Sequence, residues 1–134
     1  MHVSKAELDE LVVEHLERAK SAPHRRSATA VLKDGRLRQT LMALDAGSEL
    51  ADHSKPESAT LLVLHGAVTV RWADGEQEVG HGGLFVIPDV VHNVVATAPA
   101  AFLLTTIAGY ADPPHAAPHR ERRRALPAGN VKIP

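Results

Sequence analysis

The sequence predicts an all-β fold, a sandwich or barrel of short strands, preceded by one N-terminal helix. From residue 28 to about residue 109, short strand-like segments alternate with turn signals, which is typical of such folds. Two of the turns contain Asp-Gly pairs, Asp34-Gly35 and Asp74-Gly75, and this dipeptide is a strong hairpin signal. Residues 4–20 instead carry apolar side chains at helical spacing. The predicted strands do not alternate with helices, so the pattern does not indicate a parallel sheet.

The helix is predicted over residues 4–20. Ser4 and Glu7 form a capping-box pair at its start, and Pro23 ends it. One face is a narrow apolar stripe, and the opposite face is charged. A stripe this narrow must be buried against the sheet or against a second copy of the chain. The stripe consists of Leu8, Leu11, Val12, Leu16 and Ala19.

The predicted strands follow in chain order. Residues 28–44 form a hairpin around Asp34-Gly35, which should pair with the edge of the barrel. The second hairpin surrounds Asp74-Gly75, and in its first strand alternate residues share one face. Three more strands are predicted in "LFVIP", "VVHNVVATA" and "AAFLLTTIA". Because unpaired strand edges promote association, a homodimer is expected, with the helix, the first strands or the C-terminal tail at the contact.

Composition restricts the class of protein. A chain of 134 residues fits one domain, and its net charge of −1 provides no global attraction for nucleic acid or an anionic membrane. The absence of cysteine removes disulfides, thiolate catalysis and cysteine-ligated metal sites. No apolar run approaches the roughly 20 residues that a membrane span needs. We therefore expect a cytoplasmic protein that does not bind membranes.

The expected domain organisation has three parts. Residues 1–27 form the N-terminal helix and lead-in, residues 28–111 form the barrel, and residues 112–134 form a proline-rich basic tail. Proline at this density argues against regular structure in the tail. Its basic run, residues 119–124, contains an internal glutamate, which favours a solvated or subunit-contacting strip over a nucleic-acid contact.

Two glycine-bounded segments are the candidate functional region. Residues 47–66 contain His53, and residues 82–92 end in His92, each histidine beside a turn and an apolar strand. Histidine is the commonest metal ligand and the side chain that titrates near neutrality. Two histidines that are distant in sequence can converge if the strands close into a small barrel.

The first segment resembles the first motif of the cupin superfamily. That motif is glycine, five residues, His-x-His, three or four residues, glutamate, six residues, glycine. Gly47, His53 and Gly66 stand at those spacings. Lys55 occupies the position of the second histidine, and Ala59 occupies the position of the glutamate.

The second segment resembles the second cupin motif, which is glycine, five residues, Pro-x-Gly, two residues, histidine. Gly82 and Pro88 match it. Val90 stands where glycine is usual, and His92 comes one residue early, so that Asn93 takes the usual register of the histidine. The resemblance implies a jelly-roll barrel, the double-stranded β-helix, which is often dimeric and has its site inside the barrel mouth.

The resemblance also implies a divalent metal held by three histidines and a glutamate, of which only His53 and His92 are present. Lys55 would repel a cation and Ala59 offers no donor, whereas three or four protein ligands are normal. Glu57 shares strand parity with His53 and would complete a set of two histidines and one carboxylate, which suits non-haem iron. The expected cofactor is therefore either none or a weakly held divalent ion at His53, His92 and Glu57.

The favoured function is a small-molecule-binding or sensing protein with a degenerate metal site. Its expected ligand-binding residues are His92, His53 and Lys55, and the ammonium group of Lys55 favours an anionic ligand. The alternative is a metal-dependent enzyme of the dioxygenase or isomerase type that uses His53 and His92. A third hypothesis is a structural protein whose barrel is filled by side chains. The pattern favours an inward-facing His92 and leaves the direction of His53 open.

Overall fold

The computed structural model describes residues 1–53 and 58–107, and for residues 51–53 it describes the backbone alone. Lys55, Glu57 and the predicted tail at residues 112–134 lie outside the described residues. The described chain contains one helix and nine strands in the order that follows: α1 Lys5–Ser21, β1 Arg26–Asp34, β2 Leu37–Leu44, β3 Glu49–His53, β4 Ser58–His65, β5 Val68–Trp72, β6 Gly75–Val79, β7 Leu84–Val86, β8 His92–Val95 and β9 Ala100–Ile107.

The strands form two sheets. One has the order β1-β2-β9-β4-β7 and the other has the order β3-β8-β5-β6. Every strand pair among the described residues is antiparallel. The hairpins predicted at Asp34-Gly35 and Asp74-Gly75 are β1–β2 and β5–β6. The predicted all-β architecture with an N-terminal helix is confirmed.

The main core lies between the two sheets and is almost entirely aliphatic. Alternate residues of β4 and β9 face it, so that Leu61, Val63 and Phe102 are fully buried. Val70 of β5 and Val94 of β8 meet them from the four-stranded sheet. The period of two residues in the sequence thus produces one buried face on each sheet.

Helix α1 packs on the outer face of the five-stranded sheet. Val12 and Ala19 form a second buried cluster with Leu41, Ala43 and Ala101 of the sheet. The next residues along these strands, Met42, Leu44 and Phe102, face the main core on the other side of the sheet. The apolar stripe is therefore buried against the chain's own sheet, which is one of the two partners that its sequence allowed.

Local hydrogen bonds fix the ends of α1. The Ser4 hydroxyl accepts from the backbone N–H of Glu7 at 3.1 Å, and the Ser4 N–H donates to Glu7 Oε1 at 2.9 Å. Near the middle of the helix, His15 is buried, and its Nδ1 lies 2.6 Å from Ser27 Oγ on β1. Over residues 1–53 and 58–107, no helix combines the length and apolar character that crossing a membrane requires.

Candidate ligand site at the end of the four-stranded sheet

His92 occupies the first position of β8, in the middle of a row of three residues across the four-stranded sheet. Its Cα is paired with that of Trp72 on β5 and with that of His53 on β3. Directly opposed residues of an antiparallel pair share a face. Val94, two residues along β8, is buried in the core, so His92 lies on the inner face of the sheet.

The His92 ring is held in one orientation. The residue is 3% exposed, and Nδ1 lies 2.9 Å from the carbonyl oxygen of Val90. Because a carbonyl oxygen only accepts, Nδ1 carries the proton in this hydrogen bond. In the neutral ring Nε2 then carries the lone pair, which is the form that accepts a hydrogen bond or ligates a metal.

A β-bulge in β3 brings His53 opposite His92. Leu50 is paired with Val94 and His53 with His92, so three steps along β3 correspond to two steps along β8. In a regular strand, Leu50 and His53 would lie on opposite faces, because successive residues alternate. The extra residue resets this alternation, as bulges do. The sequence left the direction of His53 open because a Lys-Pro turn follows it, and its residues gave no signal of the bulge.

The described residues do not fit the four-ligand metal set that the resemblance implied. Ala59 is buried in the main core, so a methyl group stands where the motif has a glutamate. Where side chains are described, no three histidine, aspartate or glutamate residues are grouped so as to hold a metal ion. His92 is the one proposed ligand whose side chain the structure describes, since that of His53 and the whole of Glu57 lie outside it.

A cavity of about 350 Å³ lies beside His92 at the end of the β5–β8 pair. Trp72 contributes a half-buried indole, which stacks on Phe85 of the opposite sheet with ring centroids 6.2 Å apart. Val91 contributes an exposed apolar side chain at the cavity. His92 and Trp72 belong to the inner face of the four-stranded sheet, whereas Arg71 and Asn93, next to them in the chain, belong to its outer face. The lining residues are Arg71, Trp72, Ala73, Val91, His92 and Asn93.

Arg71 and Asn93 are the polar lining residues that the sequence analysis missed. They are directly paired across β5 and β8. Asn93 Nδ2 donates to Glu49 Oε2 at 3.3 Å, and Arg71 Nε lies 3.7 Å from Glu76 Oε1. The available signal was the position of Asn93, directly after His92 and in the usual register of the motif histidine. Arg71 had no comparable signal, because its pairing with Asn93 depends on the register of two distant strands.

No protein-family model and no curated protein matches this chain. Several solved structures have a similar fold. A conserved protein of unknown function from Streptococcus pyogenes aligns with a TM-score of 0.59 and 23% identity over 67% of this chain and 80% of its own. A cupin superfamily protein from Desulfitobacterium hafniense aligns with a TM-score of 0.58 and 14% identity over 62% of this chain and 77% of its own.

A larger enzyme shares the same fold. Salicylate 1,2-dioxygenase from Pseudoaminobacter salicylatoxidans, in adducts with gentisate, aligns with a TM-score of 0.64 and 20% identity. The match covers 78% of this chain and 32% of the dioxygenase, so this chain corresponds to about a third of that enzyme. At these identities the likenesses concern the fold, and the function must be argued from the residues of the site.

Proposed function

Because this chain has the cupin fold, we propose that it is a small-molecule-binding or sensing protein whose ligand occupies the cavity beside His92. The observation that carries the proposal is a buried imidazole in the wall of a cavity of about 350 Å³. This volume lies within the range of small-ligand sites, which combine apolar walls with a few polar groups. The dioxygenase of similar fold that forms adducts with gentisate supports a small organic ligand.

The proposed binding residues are His92, His53 and Lys55, and the proposed ligand is an anion. His53 is included because the bulge in β3 pairs its Cα with that of His92. Lys55 follows two residues later in the chain, and its ammonium group would attract a carboxylate or phosphate. The attraction between the Lys55 ammonium group and an anionic ligand should weaken as salt is added, because salt screens exposed charges.

Replacing His92 with alanine should weaken ligand binding by about 1–3 kcal/mol, because a buried ligand group would lose its partner. A thermal-shift screen would identify compounds that stabilise the protein, and a titration would then compare the variants. His81→Ala is the matched control, since His81 is exposed in the turn before β7. If His92→Ala binds the selected compounds as well as the unmodified protein does, the site is wrongly placed.

The second candidate function is a metal-dependent enzyme of the dioxygenase or isomerase type, using His53 and His92 with Glu57. The pairing of His53 with His92 favours it, since both proposed histidine ligands come from one row of the sheet. A bound divalent ion would supply Lewis-acid or redox chemistry. Lys55 and Ala59 stand at two ligand positions of the motif, so we propose binding as the primary function, with no ion or a weakly held one.

Metal analysis of untagged protein separates the two functions. We expect no stoichiometric divalent ion after extensive dialysis, because Lys55 and Ala59 stand at two ligand positions of the motif. About one equivalent of iron, zinc, nickel or manganese would instead favour the enzyme. His53→Ala and His92→Ala should then each release the ion, whereas His81→Ala should retain it.

We also propose that the protein is a homodimer in solution. Leu84 and Val86 on β7, the last strand of the five-stranded sheet, are 69% and 40% exposed. A second copy would cover these apolar side chains and the strand edge beside them. Light scattering should give twice the 14.3 kDa mass of one chain. Leu84→Glu should lower this mass if β7 is the contact, and Val13→Glu should lower it if the helix is the contact, as the sequence analysis expected. A mass of one chain at all concentrations would contradict the dimer.

A further inference from the structure

We infer that a groove between helix α1 and the edge strand β1 binds the chain's own C-terminal tail, residues 112–134, through the basic run at residues 119–124. The groove lies on the outer face of the five-stranded sheet, whereas the cavity beside His92 belongs to the four-stranded sheet. Binding of the tail is therefore independent of the function proposed for that cavity. The shape of the groove, the place where the described chain ends and the charges of both partners support it.

The groove consists of two adjoining cavities that share Met1. The larger, of about 380 Å³, lies between α1 and β1, and the smaller, of about 310 Å³, lies at the β1–β2 hairpin. Their floor is apolar, since Leu11 of α1 and Val31 of β1 also pack against the buried cluster under the helix. Because β1 is the first strand of its sheet, no strand among the described residues covers this side of the groove. The other apolar lining residues are Val3, Ala30, Leu32 and Leu37.

The strand residues that form this floor share the helix side of the sheet. Alternate residues of β2 lie on one face, so Leu37 and Gln39 are on the face where Leu41 packs under α1. Leu32 of β1 is directly paired with Gln39 and belongs to the same face. Val31 is the extra residue of a bulge in β1, which allows it and Leu32 to contribute to one surface.

The last described strand ends beside the smaller cavity. Ile107 of β9 is directly paired with Leu37, which lines that cavity, so Ile107 also lies on the helix side of the sheet. Val31 is roughly 14 Å from Ile107, a distance of two strand spacings across the sheet and three residues along β1. Residues 108–118 precede the basic run, and a chain of that length can extend over roughly 35 Å. The run can therefore reach the whole groove.

The groove and the tail carry opposite charges. Glu7, Glu10 and Glu14 line the larger cavity and recur at helical spacing on one face of α1, and His2 is the one basic side chain in that lining. Within the described residues, the Glu10 carboxylate has no ion pair or hydrogen bond. The basic run holds four arginines and one glutamate, and a guanidinium pairs well with a carboxylate. Leu126 follows the run and would cover the apolar floor beside these pairs.

Cross-linking in the full-length chain tests this contact. The chain has no cysteine, so Glu14→Cys and Ala125→Cys introduce a single pair of thiols. Glu14 is already paired with Arg18 at 2.6 Å, so its replacement leaves the Glu10 carboxylate for the tail. Val13→Cys with Ala125→Cys is the matched control, because Val13 is 69% exposed on the same turn of α1 and does not line the groove. With a short bis-maleimide, the Glu14 pair should cross-link within one chain about fivefold faster than the control, because docking raises the effective concentration of the thiols.

Charge reversal tests whether carboxylate–guanidinium pairs hold the tail. Glu10→Lys should lower the cross-linking rate several-fold, and so should glutamate at all three of Arg122, Arg123 and Arg124. The combination of both changes should restore part of the rate, because the groove then attracts the altered tail. Each rate is divided by that of the Val13 control with the same charge changes, so a general loss of stability does not imitate the effect. About 0.5 M salt should also lower this ratio, because salt screens exposed charges.

Equal cross-linking of the Glu14 and Val13 pairs would overturn the docking of the tail in this groove. A cross-link that joins two chains, with twice the mass on a denaturing gel, would also overturn it, since the tail would then bind a second copy. Rates that change with neither charge reversal nor salt would contradict the contact with the groove carboxylates. None of these results bears on the ligand cavity beside His92, so the two proposals succeed or fail separately.

Discussion

Replacing Phe102 with alanine is expected to lower the free energy of unfolding by about 3–5 kcal/mol. Phe102 is fully buried between the two sheets, paired with Met42 on one side and Val63 on the other. The chain has two phenylalanines and one tryptophan, so its core is mostly small aliphatic side chains. Loss of the ring leaves a cavity that these neighbours cannot fill, because packed sheets relax only partially. Since domains are stable by about 5–15 kcal/mol, the loss is a large fraction of the total.

Urea denaturation measures this loss, and Leu103→Ala is its matched control. Leu103 is the next residue of β9, half-buried on the outer face of the five-stranded sheet. The control removes a comparable apolar side chain from the same strand, and it should destabilise the protein much less. Similar losses in the two variants would contradict the placement of Phe102 in the core and of Leu103 outside it.

Replacing Gly66 with alanine is expected to destabilise the protein by about 2–5 kcal/mol, through backbone strain and a steric clash. Gly66 has φ +73°, a backbone conformation that residues other than glycine rarely adopt. A Cβ at this position would also lie 2.6 Å from the carbonyl oxygen of Pro99 and 3.3 Å from the Cα of Ala100. These are backbone atoms, so they cannot move aside as a flexible side chain would.

Gly47→Ala separates the two causes. Gly47 has φ +80°, and no atom lies within 4 Å of the position that its Cβ would take. This control should lose only the conformational part, about 1–2 kcal/mol. The difference between the two variants in urea denaturation measures the clash with Pro99. Equal losses would contradict the close approach between Gly66 and the Pro99 carbonyl.

The part of the fold that the sequence predicted is the part that local interactions determine. The capping box at Ser4, the Asp-Gly turns and the two-residue alternation of the strands all act within a few residues of the chain. Such signals specify a helix, a hairpin or a buried face before any distant contact forms. They therefore sufficed for the all-β architecture with its N-terminal helix. The resemblance to the two cupin motifs implied the barrel type.

The arrangement of the candidate site could not be predicted from such local signals. The sequence marked His53 and His92 as a pair, but their Cα atoms are opposed because β3 contains one extra residue between Leu50 and His53. The same limit applies to Arg71, which joins Asn93 in the cavity only through the register of β5 against β8. No residue type within either strand encodes that pairing.

By itself, the sequence determined the N-terminal helix, most of the strand segments, where the two hairpins turn and which residues of those strands are apolar. The tertiary structure decided that α1 covers the chain's own sheet, that β9 lies between β2 and β4, and that β8 lies between β3 and β5. These arrangements join segments far apart in the chain, and their register follows from packing two apolar faces against each other. For that reason the histidines were visible in the sequence, whereas the cavity beside His92 required the folded protein.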